Sequence, residues 1–191
     1  LKKDATGYER SLWAVPTRGD GAPRRLTRSA KGESGAAFTP QGDILFVSAR
    51  DDIESDVDDE PGQLWLLPAR GGEARPVTRL AGGVSGIAAT AERAGRVIVS
   101  APLLRSAASI EDDAARRAER TKKKVSAILH DTYPVRFWDH DLGPAEPHLL
   151  DIDLAGLADT LAAAVEDTAI EKAEAAADAA GEAASAPTPY P

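Results

Sequence analysis

An internal repeat constrains this chain more than any other feature. Leu12-Trp13 opens a segment that recurs 52 positions later, where it opens with Leu64-Trp65. In both copies a Gly-rich turn, a short motif ending in Thr, a Ser-Gly pair and an apolar run closing on Ser follow in the same order. The closing runs are residues 44–48 and 97–100, and a weaker third copy is predicted from Val135-Arg136-Phe137-Trp138, with a turn at Gly143-Pro144. Periods of this length indicate an array of similar structural units.

Each unit is predicted to consist of short strands and tight turns. Leu-Trp-x-[Val/Leu]-Pro favours a strand that its Pro ends, and residues such as Gly21 are expected to supply the positive φ of a hairpin. The continuous apolar run from Ile44 to Val47 indicates a strand buried on both faces. The predicted fold is all-β, a partial β-propeller of about two to three blades of four-stranded antiparallel sheets. The blades are expected near residues 8–50, 60–101 and 124–150, and a sandwich with accidentally similar hairpins is the alternative.

Two segments depart from this pattern. Residues 109–123 are predicted to form an inserted helix, since Ser109 and Asp112 give an S-x-x-D start and basic residues fill the later turns. Residues 151–191 carry nine acidic residues and one basic, Lys172, so the excess negative charge of the chain lies there. An apolar stripe and high Ala content predict an Ala-rich helical segment over 151–180, and Pro and polar residues predict a disordered linker over 181–191.

Composition excludes several functions. Residues 1–150 are nearly neutral and aromatic residues are 5% of the chain, which argues against nucleic acid as a partner. No apolar run approaches the ~20 residues of a membrane span. The chain has no Cys, which excludes thiol chemistry and fits a cytoplasmic location. It also has no Met and begins at Leu1, so we expect a piece of a longer protein.

The repeat resembles the N-terminal β-propeller of the prolyl oligopeptidase family of serine peptidases, in particular acylaminoacyl-peptidase and dipeptidyl-aminopeptidase-like enzymes. Residues 38–48, Phe-Thr-Pro-Gln-Gly-Asp-Ile-Leu-Phe-Val-Ser, and the more specific stretch 124–143 carry the resemblance. It implies a propeller that restricts peptide access to an α/β-hydrolase domain bearing a Ser-Asp-His triad. The expected partners are that domain and the peptide substrate, with no cofactor. The chain alone is expected to be a non-catalytic fragment whose open sheet edges make it self-associate.

The sequence contains two near misses to the nucleophile motif G-x-S-x-G. Gly32-Glu33-Ser34-Gly35-Ala36 and residues 83–87 around Ser85 both lack the last Gly. They occupy equivalent places in the repeat, whereas a nucleophile occurs once. We therefore predict no catalytic residue.

Acidic and imidazole side chains suggest metal sites that their spacing does not support. His130, Asp139, His140 and Asp141 are the candidates, but a structural turn is the favoured interpretation, with Phe137 and Trp138 in the core and His148 on the returning strand. The carboxylates of residues 51–60 resemble a calcium loop, but the Gly and Glu that an EF-hand requires are misplaced, so an exposed loop is favoured. Two other functions stay open: a TolB-like protein-binding propeller and, with less support, a metal-dependent enzyme on a propeller.

Overall fold

The computed structural model describes residues 8, 10–51, 61–90, 95–130 and 134–154. Short antiparallel strands dominate this part of the chain, in agreement with the predicted all-β class. The strands are β1 (Trp13–Ala14), β2 (Arg24–Arg25), β3 (Ser34–Phe38), β4 (Ile44–Ser48), β5 (Gln63–Leu67), β6 (Arg75–Pro76), β7 (Gly86–Thr90), β8 (Arg96–Leu104), β9 (Arg136–Phe137), β10 (His140–Asp141) and β11 (Ala145–Asp153). The helix α1 spans Ile110–Lys122 between β8 and β9. These strands form separate sheets and do not close into a ring within the described residues.

The most complete sheet is four-stranded, in the order β3-β4-β5-β6. Its first two strands belong to the first copy of the repeat and its last two to the second copy. The sheet is therefore offset by half a repeat from the predicted blade limits of 8–50 and 60–101. The reason is the connection after residue 48, which stays within one sheet, so that Leu64-Trp65 pairs with the strand before it.

The core of this sheet centres on β4, as its apolar run predicts. Leu45, Phe46 and Val47 are all buried, and β4 is paired along both of its edges. Phe46 lies directly opposite Trp65 of β5, and these two side chains pack with Ala74. The continuous apolar pattern thus marks a central strand.

Equivalent hydrogen bonds show that the sequence repeat is also a structural one. The backbone N–H of Leu26 donates to the carbonyl oxygen of Leu12 at 2.8 Å, and that of Val77 donates to Leu64 at 2.7 Å. Trp13 pairs with Arg25 across β1 and β2, as Trp65 pairs with Pro76 across β5 and β6. Half of the four-stranded sheet is therefore present a second time as the sheet β1-β2.

The repeat also fixes how one sheet follows the next. The N–H of Glu33, just before β3, donates to the carbonyl of Arg10 before β1 at 3.2 Å. The N–H of Val84, just before β7, donates to Gly62 before β5 at 2.6 Å. Each new sheet therefore begins from the same backbone contact with the sheet before it.

The glycine that opens the first hairpin is Gly19, and the predicted role of Gly21 is wrong. Gly19 has φ +73 and its N–H donates to Pro16, and Gly71 in the second copy has φ +87 and donates to Pro68. Gly21 lies next to Pro16 and lacks a positive φ. The turn needs its left-handed residue three positions after the Pro, which is where Gly19 stands.

The second sheet has the order β7-β8-β11, and β11 takes the place that β5 has in the first sheet. Arg96, at the start of β8, binds Asp151 near the end of β11, whereas Arg105 after β8 contacts Pro144 before β11. The two strands therefore run antiparallel. The predicted third Leu-Trp copy at 135–138 is not this strand, because those residues contribute to the separate hairpin β9-β10.

The predicted helical segment 151–180 begins with strand instead. β11 continues through Asp153, and the ion pair of Asp151 with Arg96 holds its end on β8. The chain divides into two compact units, Leu1–Ile152 and Asp153–Pro191. The rest of the predicted helix, from residue 155, and the predicted linker 181–191 lie outside the described residues. No helix in the described part of the chain is long and apolar enough to cross a membrane.

Candidate binding cleft

The connection between β8 and β11 carries a helix and a hairpin. In the first sheet the same connection, between β4 and β5, is residues 49–62. Residues 52–60 of that loop, which include most of the calcium-like acidic stretch, lie outside the described residues, and Asp51 is exposed. The insertion at residues 105–144 therefore gives the second sheet its own surface.

A buried carboxylate holds α1 on the end of β8. Asp113 is 2% exposed, its Oδ1 accepts the backbone N–H of Leu104 at 2.7 Å, and its Oδ2 accepts Arg117 Nε at 2.7 Å. Arg117 Nη2 also donates to the carbonyl oxygen of Pro102 at 2.8 Å. Because both partners of Asp113 are hydrogen-bond donors, its buried charge is compensated and the helix is fixed to the strand.

Gly82 allows this close approach. A Cβ atom on Gly82 would lie 2.4 Å from the carbonyl oxygen of Pro102 and 2.7 Å from Arg117 Nη2. Both distances are far below a van der Waals contact. The glycine therefore leaves the space that Arg117 occupies when it reaches β8.

Both ends of α1 are capped. The Ser109 side chain accepts the N–H of Asp112 at 3.2 Å, as the S-x-x-D pattern predicts. At the other end the N–H groups of Lys124 and Val125 donate to Thr121 and Arg120, which is a Schellman motif, and Lys124 has φ +53. Just beyond this cap, the carbonyl oxygen of Ala127 accepts Arg120 Nη2, so the chain stays in contact with the helix.

The chain that follows α1 contributes to the lining of a cleft of about 900 Å³. The helix α1 contributes Arg116, Glu119 and Arg120. The rest of the lining comes from residues 104–106, 128–130, 134 and 142–147. A smaller cavity of about 520 Å³ next to it shares Leu104, Arg120 and Pro144. The cleft combines aliphatic surface with long charged side chains, a composition that suits a ligand with both apolar and polar groups.

The arginines of the cleft are already engaged. Arg105 forms an ion pair with Glu146, Arg116 Nε lies 2.8 Å from Asp112 Oδ2, and Arg120 Nη2 donates to the carbonyl oxygen of Ala127 at 3.0 Å. Arg116 also helps to hold the pKa of Asp112 below its usual value, after the larger effect of the backbone N–H of Ala108. The cleft is therefore a mixed-charge surface and not a concentrated positive one.

The predicted metal candidates occupy different places. His130 lines the cleft and is exposed, whereas Asp139 lies in the turn between β9 and β10. His140 and Asp141 form β10, and their side chains lie outside the description. Among the side chains that are described, no group of three His, Asp or Glu residues is close enough to hold a metal ion. His148 lies on the returning strand β11, as expected.

The aromatic residues of the hairpin β9-β10 are exposed, so the prediction that they belong to the core is wrong. Trp138 is 87% exposed and Phe137 57% exposed. Trp138 has φ +53, and Arg136 donates to the carbonyl oxygens of Trp138 and Asp139 at 3.2 Å each. A two-stranded hairpin offers no second layer, so its tight turn directs the indole outward.

The two near misses to a nucleophile motif have matching places in the repeat. Ser34 is the first residue of β3, and Ser85 directly precedes β7, where its N–H donates to Ser100. Both lie at the start of the first strand of a hairpin, and both hairpins have a register shift. Their recurrence is what a structural role requires.

Sequence reasoning did not find two buried ion pairs. Asp113 and Arg117 are four residues apart in α1, a spacing that could have indicated them. Glu33 and Arg50 are 17 residues apart and lie 3.0 Å from each other, and the Glu33 side chain is completely buried. Only the fold brings this second pair together. Arg50 also lies over the rings of Phe46 and Trp65, with its Cζ atom 5.3 and 5.1 Å from their centroids.

A scan against models of known protein families found no match, and a search of curated proteins found none either.

Proposed function

We propose that this chain forms part of a substrate-gating β-propeller in a serine peptidase of the prolyl oligopeptidase type, and that it has no catalytic role itself. The structural repeat is the observation that carries the proposal. One four-stranded antiparallel sheet is complete, half of another precedes it, and three strands of a third follow. Repeated sheets of about this size, each joined to the next by the same backbone contact, support a propeller arrangement.

The cleft beside α1 is the part of this proposal that meets substrate. Its aliphatic walls and its internally paired arginines fit a peptide, which presents apolar side chains together with backbone donors and acceptors. A phosphate-rich ligand would instead require several arginines without acidic partners. The substrate class proposed is therefore short peptides, of the acylaminoacyl or dipeptidyl type in the parent enzyme.

Catalysis in this proposal comes from an α/β-hydrolase domain of the parent chain. The equivalent positions of Ser34 and Ser85 support a structural role for both hydroxyls. The propeller works in the cytoplasm, without a cofactor, and restricts which peptides reach the triad. The residues proposed to contact them are those that line the cleft, Arg120 and His130 among them.

The test is to sequence the DNA that flanks this reading frame and to express the complete frame. We expect further Leu-Trp repeats, then G-x-S-x-G, Asp and His, and hydrolysis of dipeptidyl and acylaminoacyl p-nitroanilides by the whole protein. Ser→Ala at the new motif should abolish turnover. A frame without a hydrolase domain would overturn the peptidase proposal and would favour the protein-binding propeller instead.

A further inference from the structure

Trp13 and Trp65 occupy the same position in the repeat but have very different surroundings. Each is paired with the strand that follows it, Trp13 with Arg25 and Trp65 with Pro76. Trp65 is 4% exposed, whereas Trp13 is 56% exposed. Two residues after Trp13, just beyond β1, Val15 is 64% exposed, whereas its equivalent Leu67 packs against the core cluster.

The β3-β4 hairpin accounts for the burial of Trp65. Phe46 of β4 lies opposite it, and the indole Nε1 donates to the carbonyl oxygen of Ser48 at 3.0 Å. Arg50, just beyond β4, lies over the indole ring, with its Cζ atom 5.1 Å from the centroid. An apolar side chain, a backbone carbonyl and a guanidinium thus cover this indole.

The backbone of β1 is also open where that of β5 is paired. The carbonyl oxygen of Leu12 accepts the backbone N–H of Leu26, just after β2, and the N–H of Leu12 donates to Thr27 Oγ1. Since successive residues of a strand point their backbone groups to opposite edges, the N–H and C=O of Trp13 point away from β2. The corresponding groups of Trp65 face β4, whereas no strand pairs with that edge of β1 among the described residues.

We infer that the open edge of β1 is a binding site for a β-hairpin of the β3-β4 type. The occupant is another copy of this repeat hairpin, with an apolar residue at the position of Phe46, a strand residue at that of Ser48 and a cation at that of Arg50. It would add its second strand antiparallel to β1 and bury Trp13 and Val15 together. This inference concerns assembly of the sheet, and it holds whether or not the parent protein is a peptidase.

The sequence supplies its own probe for this site. Arg10 is the repeat equivalent of Gly62, because each accepts the hydrogen bond that starts the next sheet. A variant in which a copy of residues 34–61 directly precedes Arg10 therefore reproduces the natural connection into β5. Comparison of this variant with its Trp13→Phe form isolates the fluorescence of Trp13 from that of the other tryptophans.

We expect the duplicated hairpin to shift Trp13 emission to shorter wavelength and to lower its acrylamide quenching constant several-fold, toward that of a buried indole. In the matched control, the added copy of the hairpin carries Asp in place of its Phe46, and the original hairpin is unchanged. Trp13 should then stay as accessible as in the natural chain. As a second format, a synthetic peptide of residues 34–51 is titrated into the full chain. The peptide should protect Trp13 in the same way. If neither the duplicated hairpin nor the peptide makes Trp13 less accessible than it is in the natural chain, the inference is wrong.

Discussion

Thr78 Oγ1 accepts the backbone N–H of Leu64 at 3.0 Å, in the same way that Thr27 Oγ1 accepts the N–H of Leu12 at 2.9 Å. In both copies the chain leaves the sheet at this threonine, so a side-chain oxygen replaces the next carbonyl of the ladder. The Thr of the Leu-Thr and Val-Thr motifs is therefore an architectural residue. Thr78 also donates to Gln63 Oε1 at 2.9 Å, and Gln63 in turn binds the backbone of Leu80.

Replacement of Thr78 by Val should destabilise the protein by about 1–3 kcal/mol. The shape is nearly unchanged, but the buried N–H of Leu64 loses its acceptor and Gln63 loses a donor. Urea unfolding followed by circular dichroism measures the change. Thr78→Ser retains the hydroxyl and should recover most of the loss, and equal destabilisation by both variants would show that the methyl group and not the hydrogen bond matters.

The sequence predicted the repeated strands well because each strand is defined by local chemistry. The apolar run at residues 44–48 and the Pro that ends the Leu-Trp strand both describe what a single strand requires. The pairing of strands into sheets was less accessible, because the offset of half a repeat depends on which neighbours the loops allow. The pairing of β8 with β11 joins Arg96 to Asp151, 55 residues further along the chain, and neither strand alone predicts it.

The candidate cleft was the least predictable part. The stretch 124–143 is distinctive in sequence, and because aromatic residues in strands usually pack in a core, it predicts a buried Trp138. A left-handed turn at Trp138 reverses that expectation. The anchoring residues Asp113 and Arg117 are polar and lie in a helix rich in charged residues, so only their burial identifies their role.

Truncation of the two equivalent tryptophans should have unequal effects. Trp65→Ala removes a buried indole and its hydrogen bond to Ser48, and should cost about 3–5 kcal/mol. Trp13→Ala removes a side chain that is more than half exposed, so its cost should remain below about 1 kcal/mol. Thermal and urea unfolding of both variants test this difference. Similar losses would mean that Trp13 is covered in solution.

Gly82→Ala should loosen α1 from β8. The new methyl group would collide with the carbonyl oxygen of Pro102 and with Arg117, so either the ion pair with Asp113 or the strand must move. We expect a loss of about 1–3 kcal/mol, which is typical of overpacking. Faster amide hydrogen exchange in α1 would locate the effect.

Gly86→Ala is the matched control for Gly82→Ala. No atom lies within 4 Å of the position that its Cβ would take. The same chemical change should therefore have an effect within about 0.5 kcal/mol and should leave the exchange of α1 unchanged. If the two variants behave alike, crowding at Gly82 does not control the docking of the helix.

Acid should weaken the first turn of α1. The pKa of Asp112 lies below its ordinary value of 3.8, because its carboxylate accepts the N–H of Ala108 and also pairs with Arg116. The pKa of Glu111 is likewise lowered, first by its own backbone N–H and then by Ser109. A lowered pKa in the folded state means that the charged form stabilises the helix. This contribution is present above about pH 4 and is lost as the pH falls through the folded-state pKa values.

Helical circular dichroism and the carboxyl chemical shifts, followed from pH 6 to 2, should therefore report a loss of helix that accompanies protonation. Asp112→Asn should flatten this pH dependence, since the side-chain amide of Asn has nearly the size of the carboxylate but no charge that titrates. A variant that loses helix over the same pH range as the natural chain would show that Asp112 does not contribute.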